Sequence, residues 1–96
     1  MSNIRRLVLD ILKPHEPSVV EFTPEISKLE SVSSINSTLI EVDEKVKNLE
    51  LTIVGSDLNY GKIEKKIRKL GGSIHSIDEV VAGEDIIEKV DTYQDL

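Results

Sequence analysis

The first apolar run in the chain alternates. Across residues 4–13, Leu7, Leu9 and Ile11 fall on one side of an extended strand, and Ile4, Arg6, Val8, Asp10 and Leu12 on the other. The second side is itself half apolar, which predicts a central strand rather than an edge. Lys13-Pro14-His15-Glu16-Pro17 ends the run, because two prolines interrupt ladder and helix alike. Pro17 fits the first turn of a following helix, where an N–H is not needed. From 18 to 30 the period changes. Val19, Phe22, Ile26 and Leu29 recur at spacings of three and four, the stripe of an amphipathic helix. Pro24 interrupts it. Either one helix runs through with a kink, or Thr23 caps a second short helix; the single kinked helix is the preferred reading.

Alternation returns over 32–43 and 46–55, two strands joined by the charged turn Asp43-Glu44-Lys45. In the later strand Leu49, Leu51 and Ile53 oppose Asn48, Glu50, Thr52 and Val54. The earlier one has Ile35, Leu39 and Ile40 among serines, Asn36 and Thr38, a composition suited to an edge. Gly55–Asn59 leads into a second helix, with Asn59 as N-cap and Asp57 as its rival. Its buried stripe is Tyr60, Ile63, Ile67 and Leu70, its exposed face holds a Glu64/Arg68 pair, and Gly71-Gly72 stops it. Ser73–Gly83 then reads as a fourth strand. The tail, 84–96, carries Ile86, Ile87, Val90 and Tyr93, a spacing that fits helix or strand equally. It is apolar enough to dock on its own or a neighbouring subunit. The order strand–helix–strand–strand–helix–strand predicts one α+β domain over 1–96 with ferredoxin-like topology. Its four-stranded antiparallel sheet carries both helices on one face. The first and third strands are central, the fourth lies beside the first, and the second is the other edge.

Composition narrows the chemistry. With no cysteine, thiolate catalysis, disulfides and cysteine-held metals are excluded. The aromatics are Phe22, Tyr60 and Tyr93 only, so aliphatic residues must fill the core. The net charge of −6 disfavours phosphate backbones. The basic run Lys62, Lys65, Lys66, Arg68 and Lys69 sits at helical spacing and reads as a solvated helix face, so no nucleic-acid partner is expected. The first residues are too charged for a leader or a membrane span, and a cytoplasmic protein is the expectation.

The stretches Ile4–Pro17, Val42-Asp43, Leu49–Gly55 and above all Gly71–Gly83, with Gly-Gly-Ser-Ile-His-Ser-Ile-Asp-Glu-Val-Val-Ala-Gly, resemble the archaeal family catalogued as domain of unknown function 211. The resemblance spans nearly the whole chain. It implies an archaeal cytoplasmic protein, a ferredoxin-like fold and homo-oligomers. That family is uncharacterised, so the resemblance carries over no activity and no catalytic residue. The shared fold also brings to mind amino-acid-sensing regulatory (ACT-like) domains, an analogy of fold alone.

Four groups of residues are candidates for function. His75 is the first. An antiparallel register that sets Asp10 opposite His75, Val8 opposite Ile77, Arg6 opposite Glu79 and Ile4 opposite Val81 pairs opposite charges and apolar groups together. It makes His75 with Asp10 a ligand site, or a paired histidine of structural use only. Asp78 is the second. Its parity points toward the helices, which is costly for a carboxylate unless a bulge turns it outward or it binds a hard cation, Ca²⁺ or Mg²⁺, with Glu79. The third is His15 and Glu16, in the loop before the first helix, where helix N-termini favour anions. The fourth is the open sheet face, where Ile4, Val8, Leu12, Val54 and Ile77 form an apolar patch and predict a homo-oligomeric interface.

The reading that follows is an oligomeric, non-catalytic module that binds a small ligand or divalent cation at subunit boundaries in a regulatory role. The alternative is an enzyme using His75 with Asp10 or Asp78. No spacing of Ser, His and Asp suggests a triad or a nucleophile elbow.

Overall fold

The computed structural model describes residues 3–89. Six elements follow one another: β1 (Ile4–Pro14), α1 (Val19–Ser27), β2 (Ser34–Val42), β3 (Val46–Val54), α2 (Tyr60–Lys69) and β4 (Ser73–Ala82). The strands form one sheet in the order β2-β3-β1-β4, and every neighbouring pair is antiparallel. This is the ferredoxin-like α+β arrangement. Leu7, Leu9 and Ile11 of β1 and Leu49, Leu51 and Ile53 of β3 supply the sheet side of the core. Phe22 and Ile26 of α1 and Ile63 and Ile67 of α2 close it from above. Full burial of such side chains stabilises by about 1.5–3 kcal/mol each.

The helix ends follow local chemistry. Ser18 is the N-cap of α1: its side chain accepts from the Glu21 N–H, and Glu21 reaches back to the Ser18 N–H at 3.2 Å. Pro17 therefore precedes the cap rather than entering the first turn. One helix passes through Pro24 and stops at Ser27, short of the stripe's Leu29, which packs against the core from the turn that follows. Asn59 caps α2 by accepting from the Lys62 N–H at 3.1 Å. At its other end the Gly72 N–H bonds Ile67 O at 2.9 Å and the Gly71 N–H bonds Arg68 O at 3.0 Å. That pair of bonds needs a left-handed residue, and Gly71 supplies it at φ +91°. Gly55 is required for space: a Cβ there would stand 2.2 Å from the Ser31 carbonyl oxygen.

The central pair is regular. Arg6 to Pro14 pair with Val54 to Val46 without a break. The β1–β4 pair is not, and here the expected register is corrected. Arg6 lies opposite Val81, Val8 opposite Glu79, Asp10 opposite Ser76 and Ile4 opposite Ala82. Shifts between Ile4 and Arg6, Val8 and Leu9, and Asp10 and Ile11 leave Arg5, Asp78 and His75 as the extra residues of β-bulges. Each bulge resets which residues share a face. Ile77 pairs with Leu9 on the helix side. Ile4 packs against the core cluster. The expected open-face patch thus keeps Val8, Leu12 and Val54 and loses Ile4 and Ile77. Asp78, whose parity pointed inward, is exposed and accepts a hydrogen bond from Ser76 Oγ at 2.7 Å.

After Gly83 the described part of the tail is neither helix nor strand. It crosses back over β1. Arg6 Nε donates to Glu79 at 2.8 Å, and its two terminal nitrogens donate to Glu88 at 3.0 and 3.1 Å. Arg5 donates to the Gly83 and Glu84 carbonyls. Val90 and Tyr93 lie outside the described residues.

Candidate functional site

The open face of the sheet contains a hollow of about 440 Å³ at the end nearest the β2–β3 turn. All four strands contribute. Asp10 and Leu12 come from β1, Val46 and Asn48 from β3, His75 from β4, and Glu41, Val42 and Asp43 from the end of β2 and its turn. Three of the eight lining side chains are carboxylic acids, and the wall groups Leu12, Val42 and Val46 are apolar.

The sheet positions each polar group. Asp10 has even parity on β1 and faces away from the helices. Asn48 lies opposite Leu12 on β3, and its Nδ2 donates to Asp10 Oδ1 and, at 3.0 Å, to the Ile11 carbonyl. Asn48 therefore fixes one Asp10 oxygen and leaves the other to the hollow. The bulge at His75 brings that ring to the same face, opposite Asp10 together with Ser76. Asp43 caps the turn: Oδ1 accepts from the Lys45 and Val46 N–H groups, each at 2.9 Å. Those two bonds, Val46's first, hold its carboxyl below the usual aspartate range. His15 reaches the rim, its Nε2–H donating to the Asp43 carbonyl at 3.0 Å.

Of the residues singled out by sequence, the structure brings Asp10 and His75 to one hollow and His15 to its edge. Glu16 is exposed in the loop and does not line it. Asp78 and Glu79 lie further along β4, one bonded to Ser76 and the other paired with Arg6. Glu41, Asp43 and Asn48 are additions that sequence reasoning passed over. The signal for Asn48 was its even position on β3 beside Glu50, polar on a face whose β1 partners are Asp10 and Leu12. Among the described residues, no three His, Asp or Glu side chains stand close enough to hold a metal ion by themselves.

Beneath the site lies a second unforeseen group. Lys13 is 0% exposed. Its ammonium donates to the Pro14 carbonyl at 2.6 Å and to the Pro17 carbonyl, and stands 5.6 Å from the centre of the Phe22 ring. Burial, and after it the charge of Lys47, pushes its pKa below the ordinary lysine value. Lys13 thereby ties down the loop that carries His15.

The architecture defines a small ferredoxin-like domain with a polar hollow on its free sheet face. Comparison with known proteins places it. The profile of the family DUF211, described as "Uncharacterized ArCR", matches residues 5–96. The chain is 48% identical over 95 residues to the uncharacterized protein MJ0319 of Methanocaldococcus jannaschii, covering 99% of this chain and 98% of that one. The chain belongs to the DUF211 family. No helix among the described residues is long and apolar enough to cross a membrane.

Proposed function

We infer that the protein is a non-catalytic, self-associating binding module whose open-face hollow takes a divalent cation or a small cationic ligand. One observation carries this reading: Asp10, Glu41 and Asp43 converge with His75 and Asn48 on a single hollow supplied by all four strands. Oxygen donors of this kind suit hard cations such as Ca²⁺ and Mg²⁺. Since no three side chains close on one point, the cation would keep part of its water shell, as Mg²⁺ commonly does, and the hollow has room for it. The enzyme reading through His75 and Asp10 gains only that the two share the hollow. The one through His75 and Asp78 loses its geometry, because Asp78 is bonded to Ser76 away from the hollow.

Thermal unfolding with Ca²⁺ or Mg²⁺ tests the reading. A ligand at 100 times its dissociation constant stabilises by about 2.7 kcal/mol, and each kcal/mol raises the midpoint of a domain this small by about 4–8 °C. The wild type should therefore show a midpoint rise of several degrees at saturating metal. Asp10→Asn with Glu41→Gln should remove most of it while leaving the metal-free midpoint nearly unchanged. A wild-type midpoint indifferent to both metals at millimolar concentration would count against the cation.

A further inference from the structure

We propose that the outer face of α2 is a docking surface for an acidic amphipathic helix of a partner protein, which lies along a row of lysines and sets one apolar side chain over Leu29. The surface is separate from the open-face hollow and does not depend on what that hollow binds.

α2 divides its residues by period. Ile63 and Ile67 are buried in the core, while Lys62, Lys65, Lys66 and Lys69 recur at spacings of three and four outside it. A shallow hollow of about 300 Å³ lies between these four lysines and Leu29, in the turn that follows α1. Leu29 is half-buried, one side packed on the core. The hollow therefore has an apolar floor, extended by the lysine methylenes, and a rim of ammonium groups. From Lys62 to Lys69 the row runs roughly 10 Å along the helix.

Charge selects the occupant. α2 carries Lys62, Lys65, Lys66, Arg68 and Lys69 against Glu64 alone, in a chain whose net charge is −6. Among the described residues, Lys62, Lys65 and Lys69 form no ion pair. Lys66 shows what the surface accepts. It donates to one oxygen of Glu25 on α1 at 3.3 Å, and Lys28 donates to the other at 2.5 Å. A carboxylate offered by a neighbouring helix is thus already held between two lysines. A second acidic helix would offer carboxylates to the remaining three. Glutamates three and four residues apart repeat at the same separation as the lysines, about 5–6 Å, and an apolar residue between them faces the hollow. Exposed ion pairs contribute little each, so they orient the partner while the apolar anchor holds it.

Other anions fit less well. No aromatic side chain lines the hollow for a nucleic-acid base to stack on. The patch is one helix wide, with Glu25 and Glu30 beside it and Glu64 on α2 itself, which would repel a phosphate chain running past it. An anionic lipid surface requires apolar groups that project past the lysines. The exposed large apolar residues belong neither to α2 nor to the turn after α1, and Leu29 is recessed.

Fluorescence anisotropy with designed peptides tests the assignment. The probe is a labelled helical peptide with a glutamate row flanking a central leucine. Its controls carry serine in place of that leucine, or glutamine in place of the glutamates. At low salt the full chain should bind the probe saturably and bind each control about tenfold more weakly. Lys65→Glu with Lys69→Glu should weaken the probe by at least as much; both side chains are exposed, and circular dichroism checks the fold. Lys62→Gln with Lys65→Gln serves as a second pair should the charge reversal fail to fold. Equal binding of the serine control would reduce the surface to unselective attraction of anions and overturn the proposal. So would a duplex RNA or a phosphatidylserine vesicle bound more tightly than the probe, a folded variant that binds the probe as wild type does, or a wild type without saturable binding at hundreds of micromolar.

Discussion

Lys13 shows how one residue can be read correctly in pattern and wrongly in role. It shares the parity of Leu7, Leu9 and Ile11, and the structure buries it with them. Its charge, and the proline that follows, made it look like the first residue of a loop. A buried ammonium is tolerated here because two carbonyls and an aromatic ring replace its water. Replacing it by Met keeps most of the packing volume but strips both carbonyls of their donor, so Lys13→Met should cost about 1–3 kcal/mol at neutral pH. The pH dependence is a sharper readout. Because burial lowers the pKa of the folded form below the ordinary 10.5, the unfolded chain holds more protons between those two values. Stability conferred through this group therefore rises with pH across that window and levels off above 10.5. Urea midpoints from pH 7 to 11 should show that slope in wild type minus variant. A flat difference would mean that Lys13 titrates normally and is not sealed from water.

At the scale of elements, the sequence disclosed what is local and hid what is cross-strand. All six elements were legible, because each carries its own period and its own stop: Pro14 and Pro17, Asn59 as cap, Gly71-Gly72. The β1–β4 register was not. Alternation defines the faces of one strand only while no residue is extra, and nothing in Ser73–Gly83 announces that His75 is extra. Asp78 was the one hint, a carboxylate whose parity was wrong for a regular strand, and a bulge resolves it. The hollow was half legible for the same reason. Asp10 and His75 were found by pairing two strands, whereas Glu41 and Asp43 come from a third strand and a turn. Asp43 itself offers a test at this scale. Its lowered pKa means the capping bonds to Val46 and Lys45 are fully present above the ordinary aspartate value of 3.8 and are lost as pH falls through the lower native value. Asp43→Ala should therefore speed exchange of the Lys45 and Val46 amides at neutral pH, where Asp43→Asn, which keeps an acceptor oxygen, should speed it less. Equal exchange in wild type and Asp43→Ala would show that the β2–β3 turn does not depend on the cap.

At the scale of the whole molecule, the hollow is a product of the complete sheet rather than of any one element. His75 belongs to β4 and Glu41 to β2, so both edge strands supply walls of the same site. The groups that line it are brought together only in the folded chain, so a ligand taken there as proposed would bind the native state and not the unfolded one, and would stabilise it by mass action. The chain also carries a net charge of −6, which any added salt screens in the compact state. Site binding and screening can be told apart by the ion used. Millimolar Mg²⁺ should raise the urea midpoint of wild type, and sodium chloride at equal ionic strength should raise it much less, since screening alone does not bridge carboxylates. Asp10→Asn with Glu41→Gln should keep the small response to sodium chloride and lose the larger one to Mg²⁺. Equal midpoint shifts with the two salts in wild type would show that net charge, not the hollow, governs the response.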